Sequence, residues 1–185
     1  MNVARRMRGF SLIEVLVSLV IISVGLLGIA KIQTIAYAET GTSSLRSIAA
    51  IEASSMASSM RANRAYWATG GGVSPTLQVT VAGTAITSTT DGAMTGTPNC
   101  EVLATPCTNR QMATYDIQEW AAALDPLLGG GAAYNATITC PTTVTPIDCT
   151  ITITWTERLT ATTSGAASNL GTAIMTPTYT LNVQP

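Results

Sequence analysis

Residues 9–31 read GFSLIEVLVSLVIISVGLLGIAK, and the rest of the chain is organised around them. From Phe10 to Ala30 there are 21 residues with Glu14 as the sole charge, and Lys31 closes the run. As a helix rising about 1.5 Å per residue it is roughly 31 Å long, enough to cross a hydrocarbon core of about 30 Å. Ahead of it stands MNVARRMRG, with Arg5, Arg6 and Arg8 and no acid. Those arginines favour a cytoplasmic amino end, so the remainder of the chain is expected beyond the inner membrane.

Three readings compete for this segment. A secretory signal peptide has a possible Ala-x-Ala site at Ala36-Tyr37-Ala38, before Glu39, but its apolar core is usually only about 7–15 residues long. A plain signal anchor explains length and orientation and leaves Glu14 unexplained. An ionisable group inside such a run costs on the order of 2.5–3.5 kcal/mol at a helix centre, less near its end, and calls for a partner.

The third reading uses every feature together. An Arg-rich leader, then Gly9-Phe10-Ser11-Leu12-Ile13-Glu14, then an uninterrupted apolar helix resembles the class III signal of type IV pilins and pseudopilins. The resemblance implies a prepilin peptidase that cuts after Gly9 and methylates the new terminal amine of Phe10. It also implies that Glu14 neutralises the terminal amine of a neighbouring subunit in a filament. Cutting before the apolar run keeps that run as a permanent anchor and packing surface.

Composition narrows the function further. The chain has 185 residues, nine Lys+Arg against ten Asp+Glu, four cysteines and no histidine. Without histidine, Ser-His-Asp and Cys-His catalysis and His-ligated zinc or haem are excluded. Charged residues are 10%, against about 25% in a typical soluble domain. A net charge of -1 leaves no overall basic footprint for nucleic acid.

The helical pattern continues to about Arg64, since no proline occurs before Pro75. Leu45, Ala49, Ala53, Met56 and Met60 fall at spacings of four, four, three and four, on one face. Met56 and Met60 read as core, and Arg61 and Arg64 as a solvated face; a partner-binding methionine stripe is the alternative. Gly25 and Gly28 can soften the apolar half. Many major pilins carry a proline near the position of Lys31, and this chain does not.

Residues 68–75, ATGGGVSP, break the helix. Beyond them Leu77, Val79 and Val81 alternate as a strand, and residues 83–110 read as loop. Residues 116–128 suggest a short helix with Asp116 and Glu119 as a capping box and an apolar face of Ile117, Trp120, Ala121 and Leu124. Gly129-Gly130-Gly131 ends it, with no Gly-Lys-Ser/Thr to suggest a phosphate loop. Ala136–Cys140 and Cys149–Trp155 alternate as a hairpin, with Ile151, Ile153 and Trp155 expected to face the long helix. Thr178–Val183 supplies another strand, and residues 160–173 an exposed or mobile loop.

The four cysteines allow three pairings. Cys100 with Cys107 and Cys140 with Cys149 are the pairs close in sequence, and translocation makes disulfides the natural state. Metal binding by four thiolates is the alternative, disfavoured by spacings unlike Cys-x2-Cys. The last cysteine lies 36 residues (185 − 149) before the end, a departure from the carboxy-terminal disulfide of long major pilins. The acids are scattered, with no Asp-x-Asp-x-Asp cluster for calcium and no marked pair for glycoside hydrolysis. No enzyme activity, cofactor or metal is expected.

The opening GFSLIEVLVSLVIISVGLLGIAKIQ, with SSMRANRAYW at the helix end, resembles the PilV family of type IV pilus minor pilins. DIQEWAAALDPLLGGG ahead of YNATIT and ITITWTER is similar to that family's carboxy-terminal half. The first stretch also resembles the type II secretion minor pseudopilin GspI. The resemblance implies a pilin-like α+β fold, a long amino-terminal helix packed on an antiparallel sheet. Four regions follow: leader 1–9, transmembrane and filament-core helix 10–31, amphipathic continuation 32–66, and periplasmic head 67–185. The implied role is a non-enzymatic minor pilin that primes pilus assembly and sits near the tip. Its implied partners are prepilin peptidase, other minor pilins, the major pilin and a tip adhesin. A type II secretion pseudopilin and a signal-anchored periplasmic binding module are the rivals.

Overall fold

A computed structural model describes residues 11–102, 106–129, 134–159 and 173–185. The fold is α+β. Contacts divide the chain into two compact units, Met1–Gly41 and Thr42–Pro185. Helix α1, Leu12–Ala62, contributes residues to both. Its hydroxyl residues bond back to carbonyls one turn earlier, as Ser47 does to Ser43 and Ser58 to Ser54, so they need no partner outside the helix.

In the second unit, Ala49, Ala53, Met56 and Met60 are buried and Leu45 packs against them. The face read from their spacing is the one that enters the core. The helix does not run unbroken to residue 66. At Asn63 the backbone leaves helical geometry (φ -108°, ψ 52°), and a short helix α2, Arg64–Trp67, follows. The reason is tertiary: the buried Asn63 side-chain amide donates to the Asn109 carbonyl at 2.7 Å.

Gly70–Gly72 form a tight turn in which all three φ angles are positive, at 58°, 62° and 76°. A side chain at Gly70 would put its Cβ 2.1 Å from the Thr142 Cγ2. The glycines therefore admit a left-handed turn and a close backbone approach where the chain passes from helix to sheet.

Strands β1 (Thr76–Ala82), β2 (Ala85–Thr89), β3 (Asn135–Pro141), β4 (Cys149–Thr154) and β7 (Thr178–Val183) form one antiparallel sheet in the order β2-β1-β3-β4-β7. Two short strands, β5 (Glu157–Leu159) and β6 (Ala173–Met175), pair separately. One sheet face is apolar: Leu77, Val79, Val81, Ile138, Ile151 and Ile153 are buried with the methionines of α1 in one cluster. Trp155, just after β4, joins them. Burying each large side chain contributes about 1.5–3 kcal/mol.

The opposite face is threonine. Strand register sets Thr80, Thr137, Thr152 and Thr180 in one row across four strands, and Gln78, Thr139, Thr150 and Asn182 in the next. Threonine suits a pleated, half-solvated surface because its β-branch packs while its hydroxyl meets water. The alternation of this sequence thus has its cause in a two-sided sheet.

Three expectations are corrected. The helix expected over 116–128 is α3, Asn109–Leu124, and its cap is Thr108 with Gln111, not Asp116 with Glu119. The Thr108 Oγ1 accepts from the Gln111 N–H while the Gln111 Oε1 accepts from the Thr108 N–H. Both bonds satisfy donors left open at a helix start, so the helix begins a full two turns before Asp116. Second, residues 83–110 are not all loop, since β2 pairs with β1 despite its single large apolar residue, Ile86. Third, the strands β5 and β6 flank residues 160–172, part of the expected 160–173 loop; those residues lie outside the described ones, while Ala173 is in β6. The apolar face of α3 matches its reading, with Ile117, Trp120, Ala121 and Leu124 all buried.

Candidate processing and assembly segment

The first helical residues follow directly from Ser11. Its carbonyl accepts from the Glu14 N–H at 3.0 Å and the Val15 N–H at 3.3 Å, which starts α1. Glu14 sits exposed in the first turn, where a carboxylate meets the positive end of the helix dipole. Gly9 and Phe10, the expected cleavage and methylation positions, lie outside the described residues, as does the 1–9 leader.

From Leu12 to Gln33 the helix carries 22 residues of mean hydropathy 2.7, none buried within the chain. Leu12, Leu27 and Ile32 are 83%, 72% and 68% exposed. Leaving so much apolar surface in water is costly at about 25 cal/mol per Å², so this face needs lipid or other apolar helices around it. Its two serine hydroxyls are satisfied within the helix: Ser18 donates to the Glu14 carbonyl and Ser23 to the Leu19 carbonyl, as a span without water favours. The helix passes Gly25 and Gly28 without a break.

The first-named residues of this segment agree with a family signature. The sequence model described as the prokaryotic N-terminal methylation motif matches residues 4–30. The chain carries a type IV pilin-like prepilin signal. No curated protein and no solved structure matches the chain. The methylation motif supports a type IV pilin- or pseudopilin-like protein, and the apolar helix that follows it and the α+β fold are consistent with that.

The head is stapled as its cysteine spacing suggests. Cys100 pairs with Cys107, and Cys140 with Cys149, the second pair joining β3 to β4 at the mouth of their hairpin. Cys140 and Cys149 are fully buried.

One polar cluster escaped the sequence. The Asp91 carboxylate, 4% exposed, accepts from the Tyr66 hydroxyl and the Arg110 Nε, both at 2.8 Å, and from the Ala93 N–H at 3.1 Å. Arg110 also donates to the Gly71 carbonyl at 3.1 Å. Residues 66, 71, 91 and 110 meet only through the tertiary fold, and no local motif marks them. Together they tie the helix end, the glycine turn and α3 into one corner of the head.

Burial alone would raise the Asp91 carboxyl. The hydrogen bonds from Arg110, Tyr66 and the Ala93 N–H outweigh it and hold the group below its ordinary value. Burial, with the Asp91 charge beside it, pushes the Tyr66 hydroxyl well above its usual range. A depressed folded-state value means Asp91 stabilises the head fully above its unfolded pKa of about 3.9, and loses that contribution as pH falls through the lower folded value. The urea midpoint of the full chain in detergent is therefore expected to drop below about pH 4. Asp91→Asn should lose about 1–3 kcal/mol at neutral pH and show a shallower acid drop. An equal drop in both proteins would remove Asp91 from the account.

Proposed function

We propose that this chain is a non-enzymatic minor pilin of the PilV type. It enters the inner membrane with its head periplasmic, is cut between Gly9 and Phe10, and is methylated on Phe10. It then joins a filament through its apolar helix, with other minor pilins and the major pilin. In that role it helps prime assembly and remains near the tip, where a large adhesin can be displayed. Glu14 neutralises the Phe10 amine of a neighbouring subunit.

One observation carries this proposal: the methylation motif at residues 4–30 runs straight into a helix with no buried residue over Leu12–Gln33. A simple anchor also needs an apolar span, but it has no use for the Gly-Phe junction or for a carboxylate in the first turn. The type II secretion pseudopilin shares both features, so the neighbouring genes separate the two filaments.

The test is the mature amino terminus, read by intact mass and peptide sequencing of the membrane protein. A chain lacking its first nine residues and starting at N-methylated Phe10 is the expected result. A start at Met1 or Glu39 would exclude filament processing, and with it the assembly role of Glu14.

A further inference from the structure

Between β2 and α3 residues 96–102 run as a strap along the helix. Met94, just ahead of it, is buried with its sulfur beside the Tyr66 and Thr89 hydroxyls, which fixes the near end. Gly96 then turns the chain at φ 78°, a left-handed conformation open to glycine. No residue from 96 to 102 is buried, and Val102 is 55% exposed. The strap therefore gains little from apolar burial, and three ties hold it to α3. The Gly96 carbonyl accepts from the Gln118 Nε2 at 2.8 Å, and the Glu101 carboxylate from the Tyr115 hydroxyl at 2.9 Å. Both bonds are exposed, and their helix partners sit on neighbouring turns of one face. The third tie is covalent: Cys100 is bonded to Cys107, which directly precedes the Thr108 N-cap of α3.

The two bridges of the head have opposite surroundings. Cys140 and Cys149 are fully buried and stand opposite Leu77 and Val183 in the sheet ladders. A thiolate reaches them only after the sheet opens. Cys100 and Cys107 are partly exposed. Exchange also favours the sulfur that departs as the more stable thiolate. A thiolate at Cys107 stands at the positive end of the 16-residue α3. Cys100 is followed by the Glu101 carboxylate, which opposes negative charge there. Attack is thus directed to the Cys100 sulfur, with Cys107 leaving.

We propose that the Cys100–Cys107 bridge is a redox clasp, which a dithiol opens to free the strap from α3 while Cys140 and Cys149 stay bonded. A thiolate of the dithiol bonds to the Cys100 Sγ, the bond between the two cysteine sulfurs breaks, and Cys107 leaves as a thiolate that takes up a proton. The second thiol then closes a disulfide within the reagent and expels Cys100, so two electrons pass from the dithiol to the bridge. With the clasp open, only the two exposed hydrogen bonds hold the strap. Gly96, which with Met94 and Gln118 lines a cleft of about 360 Å³ beside β2, is then free to move. Helix α3 keeps its cap at Thr108 and its tie from Arg110 to Asp91, so the head stays folded. The clasp belongs to the head and does not depend on filament assembly.

The full chain in detergent tests it, reduced with dithiothreitol at neutral pH without denaturant, then alkylated with iodoacetamide and mapped by peptide mass. Cys100 and Cys107 are expected to be labelled at least about tenfold faster than Cys140 and Cys149. Equal rates, or faster labelling of the β3–β4 pair, would overturn the clasp. Release of the strap is read by a protease that cuts after glutamate, added once the reductant is removed. Cutting after Glu101 should accelerate at least about tenfold in the reduced, alkylated chain. A Cys100→Ser, Cys107→Ser chain should be cut as fast with no reductant. Unchanged cutting after Glu101 in both would overturn the release. Cutting that spreads to Glu119 within α3 would show that the bridge holds the helix itself, and would overturn a local clasp.

Discussion

Glu14→Ala is expected to reduce incorporation of the chain into filaments by at least about tenfold, while membrane insertion and leader removal continue. A carboxylate and an amine brought to about 4 Å at an effective dielectric near 20 attract by roughly 4 kcal/mol, and in an apolar bundle neither charge has water to fall back on. Alanine leaves the neighbour's amine uncompensated, which opposes docking. The same change makes the span more apolar, so insertion should not suffer. The fraction of chain in sheared filaments, divided by the processed chain in membranes, reads the effect. Unchanged incorporation would show that Glu14 has no part in subunit docking, and Glu14→Asp, which keeps the charge, should fall between the two.

Gly71→Ala should destabilise the head by about 2–5 kcal/mol, the sum of a left-handed backbone cost and overpacking. At φ 62° an alanine Cβ would stand 2.7 Å from the Tyr66 Cζ and hydroxyl oxygen. That ring has little room to yield, because its hydroxyl is bound to Asp91 and it packs edge-on against Trp67 with centroids 5.2 Å apart. Gly72→Ala is the control: φ is 76°, but nothing lies within 4 Å of the added carbon. It should lose only the backbone cost, about 1–2 kcal/mol. Urea unfolding of the full chain in detergent measures both, and equal losses would sink the role given to the Tyr66 contact.

The two predictions draw on different levels of information. Glu14 stands out in the sequence because a charge in an otherwise uninterrupted apolar run is conspicuous in one dimension. The same is true of the buried face of α1, where Ala49, Ala53, Met56 and Met60 recur at helical spacing, and of β1, β3, β4 and β7, where apolar residues alternate with threonine. The close cysteine pairs also follow local geometry, since each bridge closes a short loop.

The glycine triplet was legible as a break, but not as a corner. That Gly71 must lack a side chain depends on Tyr66 and Asp91, and that Asp91 can be ionised while buried depends on Arg110. The break at Asn63 exists because its amide reaches Asn109, and β2 exists because β1 offers it an edge. The start of α3 was written locally in Thr108 and Gln111, yet Asp116 and Glu119 offered a competing cap of the same form. Only the fold, by burying Ala113 and Thr114 ahead of Ile117, decided between them. Periodicity and isolated charges act within one helix or strand, and the sequence by itself determined what they control: the apolar span, the faces of the helices and the alternating strands. Partners brought together from residues 66, 91 and 110, or from 63 and 109, share no local signal, so the corner and the helix break at Asn63 were left to the tertiary structure.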